Sequence, residues 1–247
     1  MSLQDKIHVN THYTRSVNLE RDADSIDVVS AYIPTSRALR TLSKIADSFH
    51  GQQTPRAWSL VGPYGSGKSS FSVFLAQLLS HPEELATKTA SRVLRSTEKS
   101  LASRYSKSNR GKNGYLKVLV TGAPEPLGQR LARGFADAAA SHWRGRRGKK
   151  PQVVKRLRAI ATAEVVSTTE LIGLIKDLQV QLVKTDATGV LLVIDELGKF
   201  LEYEARHYGA NDIYMLQTLA EHACQGSEAN LLMFVLLHQS FEQYAKG

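Results

Sequence analysis

Ser59 to Ser70 reads SLVGPYGSGKSS, and within it Gly62, Gly67, Lys68 and Ser69 fall at the spacing G-x-x-x-x-G-K-[ST]. Each residue type answers a requirement of triphosphate chemistry. Glycines at 62, 65 and 67 let the backbone curl so that successive N–H groups converge on an anion, with Pro63, Tyr64 and Ser66 completing the loop. Lys68 has the reach and charge for β- and γ-phosphates, and the Ser69 hydroxyl is a ligand for Mg²⁺. Ser70 continues the first turn of a helix whose N-terminal N–H groups and partial positive charge favour the same anion.

A second chemical element closes the apolar run VLLVIDE, Val190 to Glu196. Asp195 is expected at the carboxyl end of a buried strand, where it holds Mg²⁺ through water, and Glu196 is placed to orient and deprotonate an attacking water. Taken alone, the two carboxylates also suit the acidic first turn of a helix. Paired with the glycine loop, they suit phosphoanhydride hydrolysis.

Four apolar runs supply the elements that must position these residues: AWSLVG from Ala57, YLKVLVT from Tyr115 to Thr121, VLLVID from Val190, and NLLMFVLL from Asn230. They are apolar throughout rather than at alternate positions, and helical patterns separate them, which predicts an α/β fold with a parallel sheet covered on both faces. Helices are predicted over 36–49, 68–80, 127–143, 152–166, 170–184 and 211–225, with a short one after Leu197 and a new one starting beyond His238. Residues 1–50 read as a lead-in segment and helix, and 51–247 as one domain carrying basic insertions at 83–114 and 144–167. The absence of a long apolar run predicts no membrane span. The single cysteine, Cys224, predicts a reducing, cytoplasmic setting and fits the apolar face of its helix with Leu216 and Leu219.

At LVGPYGSGKSSF, LLVIDELGKFLEY and LLHQSF the chain resembles the P-loop NTPases. The adjacent Asp195 and Glu196, with one strand between them and the loop, resemble the additional-strand catalytic-glutamate class that includes AAA+ and STAND proteins, and most closely the ATPase modules of large bacterial anti-phage defence and DNA-maintenance proteins. The resemblance implies strand order 5-1-4-3-2, with the fifth strand outside this chain, which would then be truncated at its C-terminus. It implies ATP and Mg²⁺, with Lys68 and Glu196 catalytic. It also implies a polar γ-phosphate sensor after the fourth strand, for which His238 or Gln239 is the candidate. The activity implied is ATP hydrolysis driving remodelling or translocation on nucleic acid; a nucleotide-gated switch controlling assembly of a homo-oligomer or larger complex is the alternative.

Charge is distributed unevenly. The chain carries +9 in total, yet from Lys88 to Arg158 there are 19 Lys or Arg against Glu98, Glu125 and Asp137, a surplus of 16, which leaves the remainder at −7. Such a stretch suits DNA or RNA, a solvated surface or a subunit contact. Its densest part, Arg144, Arg146, Arg147, Lys149 and Lys150, is the nucleic-acid candidate.

Overall fold

A computed structural model of the chain describes residues 16–49, 54–144, 150–207 and 212–240. The four apolar runs form strands β1 (Ala57–Val61), β2 (Tyr115–Thr121), β3 (Gly189–Asp195) and β4 (Asn230–Leu237). All pair in parallel, in the order β1-β4-β3-β2, which is the order expected of these four.

Ten helices among the described residues cover the sheet in two layers. One layer contains α1 (Ile26–Ala31), α2 (Ser36–Asp47), α3 (Lys68–Leu78), α4 (Leu85–Thr97) and α5 (Lys99–Ser108). The other contains α6 (Leu127–His142), α7 (Gln152–Ile160), α8 (Thr168–Val183), α9 (Gly198–Arg206) and α10 (Asp212–Gln225). The pleat sends Leu191, Val193, Leu232, Phe234 and Leu236 into the first layer's core, and Leu192, Ile194, Leu231, Met233 and Val235 into the second's. Burial on both faces explains why these strands lack polar–apolar alternation: all seven residues of β3 are buried. No helix among the described residues is long and apolar enough to cross a membrane.

Three expectations are corrected. β1 is not buried throughout. It is an edge strand among the described residues, and Ser59 and Val61 are exposed. The helix predicted over 152–166 stops at Ile160, because Gln129 Nε2 donates to the carbonyls of Ala163 (2.7 Å) and Glu164 (3.3 Å) and the chain turns there toward the Ser167 cap of α8. Cys224 is exposed: the buried face of α10 runs through Leu216, Leu219 and Ala223, and the next residue is rotated away from it.

The lead-in segment contributes to the core. Leu19 and Val29 are fully buried in the first layer, and the chain before α1 straps the outer edge of β2. Glu20 accepts from the Thr121 N–H (2.6 Å) and from Arg130 (2.5 Å), while Asp24 accepts from Lys117 (2.7 Å).

A buried polar knot joins α8, α10 and the start of β4. Gln179 Nε2 donates to the Ala229 carbonyl (2.5 Å) and Ser227 Oγ (2.9 Å), and its Oε1 accepts from His222 Nε2 (2.6 Å). That bond puts the His222 proton on Nε2 and leaves a buried Nδ1 without a partner among the described residues. Burial, aided by Lys176, lowers the His222 pKa from 6.5. The unfolded chain therefore binds the proton more readily, so stability is full above pH 6.5 and falls as pH drops through the folded-state value. His238, described below, acts with the same sign. Urea denaturation from neutral to mildly acid pH should show this fall, with a shallower slope in His222→Gln.

Candidate functional site

β1 delivers the chain to the carboxyl edge of the sheet, where the Gly62 N–H donates to the Leu237 carbonyl at the end of β4 (3.1 Å). The loop then closes through Ser66 N–H to the Pro63 carbonyl (3.3 Å). Gly65 and Gly67 have φ of 74° and 82°, a left-handed conformation that glycine adopts at little cost. Gly67 is itself the N-cap of α3 and supplies no side-chain acceptor, so the first N–H groups of that helix are left to the loop.

Lys68 folds over this turn. Its Nζ donates to the carbonyls of Gly62 (2.6 Å) and Pro63 (2.9 Å) and to Ser66 Oγ (3.3 Å), using all three of its protons. Partial burial lowers its pKa, and the nearby Asp195 carboxylate opposes that shift.

Asp195, 5% exposed at the end of β3, meets the loop directly. Ser69 Oγ donates to its Oδ2 (2.6 Å), and the Glu196 N–H donates to its Oδ1 (2.8 Å). The structure thus brings the glycine loop and the acidic strand end to one place.

Glu196 is held in an uncommon conformation, with φ of 52°. Two contacts fix it. Leu197 N–H donates to the Leu236 carbonyl on β4 (3.1 Å), and Gly122 N–H on the other side donates to the Asp195 carbonyl (2.8 Å). Gly122 lies so close that a Cβ there would stand 2.1 Å from the Glu196 carbonyl oxygen. Gly122→Val should therefore displace the Glu196 backbone and cost about 3 kcal/mol of stability in urea unfolding, with Gly122→Ala losing less. The Glu196 carboxylate pairs with Lys199 one helical turn on (2.5 Å), and this hydrogen bond raises the Lys199 pKa.

His238 follows β4 into the same space. Tyr64, 73% exposed, stacks on its ring with centroids 3.4 Å apart and planes inclined by 24°. Both His238 ring nitrogens are buried with no hydrogen-bond partner among the described residues. Desolvation and then Lys68 lower its pKa, against the opposing Glu196 and Asp195. Of the two sensor candidates, His238 therefore sits among the loop and the carboxylates, whereas Gln239 is exposed.

Beside the loop lies a cleft of about 560 Å³, lined by Gly62, Pro63 and Gly65 to Lys68 together with Ser70, Tyr32, Ile33 and Val61. Ile33 is 76% exposed and Val61 48%. Among the described residues no three His, Cys, Asp or Glu side chains converge as a metal cage. Arg144 and Lys150 are exposed, at the end of α6 and the start of α7; Arg146, Arg147 and Lys149 lie outside the described residues.

Sequence reasoning missed Gly122, Lys199 and the cleft residues Tyr32 and Ile33. Lys199 was detectable, because it stands three residues after Glu196 on a predicted helix. Gly122 was not, since its role depends on the pairing of Thr121 with Asp195 across two strands.

Comparison of the chain with known protein families, curated proteins and solved structures finds no match.

Proposed function

We propose that this chain is a P-loop NTPase core that binds ATP with Mg²⁺ and hydrolyses its β–γ phosphoanhydride. The observation that carries the reading is the hydrogen bond from Ser69 to Asp195: it ties the start of α3 to the end of β3 and sets Glu196 beside them. The strand order β1-β4-β3-β2 supports it.

The residues present suit the ligand. A hydroxyl and a carboxylate in contact offer the few hard oxygens that Mg²⁺ takes from protein when phosphates and water complete its shell. Bound there, Mg²⁺ would neutralise charge on the β- and γ-oxygens. Lys68 would exchange the loop carbonyls it now contacts for phosphate oxygens, which are stronger, charged acceptors. His238, whose buried ring nitrogens have no hydrogen-bond partner among the described residues, would gain one in a γ-phosphate oxygen. Glu196 would take the proton of the attacking water, once released from Lys199. The exposed apolar surface of Ile33 and Val61 in the cleft suits a base and ribose, and adenine follows from the resemblance.

The work done with this energy is read as remodelling or translocation on DNA or RNA, in a homo-oligomer or larger complex. The alternative is a nucleotide-gated switch with little turnover, and the Glu196–Lys199 pair favours it by restraining the base. Calorimetry with Mg-ATPγS and phosphate release from Mg-ATP, with and without DNA, test both. Mg²⁺-dependent binding with phosphate release is the expected result; binding without release selects the switch, and absence of binding sinks the proposal.

A further inference from the structure

The basic stretch from Lys88 to Arg158 is divided by the sheet. Lys88 to Arg110 lie on α4, α5 and the turn after them in the first layer, whereas Arg130 and Arg133 lie on α6, and Lys155, Arg156 and Arg158 on α7, in the second. Both parts hold paired and unpaired cations: on the first layer Lys88 meets Glu83 and Arg104 meets Asp47, and on the second Lys155 is exposed and makes no ion pair among the described residues. On the second layer Arg130 meets Glu20 and Glu125, Arg133 meets Glu125, Arg156 meets Asp177 and Arg158 meets Asp137. On the first, Arg92, Arg95, Lys99, Lys107 and Arg110 are all exposed, and none makes an ion pair among the described residues.

These five cations share a concave surface. Two adjoining hollows of about 420 and 500 Å³ follow the α4–α5 hairpin and have Arg95 and Ser106 in common. Among the described residues no Asp or Glu lines either one. The spacing explains the convergence: Arg92 and Arg95 are one turn apart on α4, and Lys99, Ser103, Ser106 and Arg110 recur every three or four residues along α5 and its end. Hydroxyls of Ser91, Ser103 and Ser106 stand between the cations, as donors suited to phosphate oxygens. The only aromatic lining residue, Tyr105, is 2% exposed, and its hydroxyl is committed to the Leu42 carbonyl (3.0 Å). Among the described residues the groove presents no stacking platform for unpaired bases.

We infer that the α4–α5 groove binds the phosphate backbone of a nucleic-acid duplex, without reading its sequence. The groove is built from other residues than the 144–150 candidates and its assignment does not depend on the ATP reading.

The test uses the whole chain without nucleotide, labelled DNA and RNA duplexes of about 30 base pairs, and fluorescence anisotropy over about 0.05 to 0.2 M KCl. Five phosphate contacts predict a log–log salt slope of about −4.5 on at least one duplex. Arg92→Gln/Arg95→Gln/Lys107→Gln should weaken binding about 10-fold or more and make the slope shallower by about 2.7. The control triple on α7, Lys155→Gln/Arg156→Gln/Arg158→Gln, removes the same charge and should stay within about twofold of the parent. Circular dichroism melting, unchanged in both triples, keeps folding apart from binding. Failure of the parent to bind either duplex, equal losses in the two triples, or a single strand bound as tightly as duplex would each overturn the assignment.

Discussion

Glu196→Gln is expected to bind Mg-ATP as the parent does and to lose about 10²- to 10⁴-fold in kcat, the range that a positioned general base contributes. The substitution keeps the shape and the left-handed backbone conformation that Gly122 and Leu236 impose, and removes the basicity. It also removes the charge facing Lys199, so that side chain loses its ion pair without any change in the loop. Rapid-quench measurement of single-turnover hydrolysis at saturating nucleotide separates chemistry from binding. A Gln variant with undiminished turnover would remove Glu196 from the base role and leave the Ser69–Asp195 arrangement as a binding site alone.

Lys68→Ala is expected to weaken Mg-ATPγS binding about 100-fold, or about 3 kcal/mol, as two charge-assisted hydrogen bonds to phosphate are lost. Lys68 also closes the loop through the carbonyls of Gly62 and Pro63, so part of the loss could come from a loosened turn. Lys68→Arg separates the two contributions: it keeps the charge but spreads it over a planar fork that does not match a point-like cradle. Both variants should fall well below the parent by calorimetry, with the melting temperature showing whether the loop has been disturbed.

The sheet was legible because its two central strands, β3 and β4, are buried on both faces, which turns each into an unbroken apolar run with sharp ends, and the edge strands β1 and β2 are still mostly apolar. Tyr115–Thr121 and Asn230–Leu237 carry the predicted limits. α1 was not legible: six residues are too few for a periodic pattern, and its stability comes from packing against α3 and α4. The glycine loop and the two carboxylates were legible as elements meeting at one sheet edge because each is written in consecutive residues at the end of an apolar run. Gly122 and the partner that each arginine finds were not, because both depend on which distant residues the topology brings opposite. The charge count from Lys88 to Arg158 pointed at Arg144 to Lys150 by density, yet the acidic residues that neutralise α6 and α7 come from Glu20, Glu125, Asp137 and Asp177. Linear density measures how much charge there is; pairing decides how much is left over.

The backbone at Glu196 has a consequence for directed evolution. A left-handed residue that is not glycine or asparagine costs on the order of 1 kcal/mol, so stability alone would favour Gly at this position. Selection for heat resistance alone would drift toward that replacement, yielding a hardier protein without the carboxylate on which the proposed hydrolysis depends.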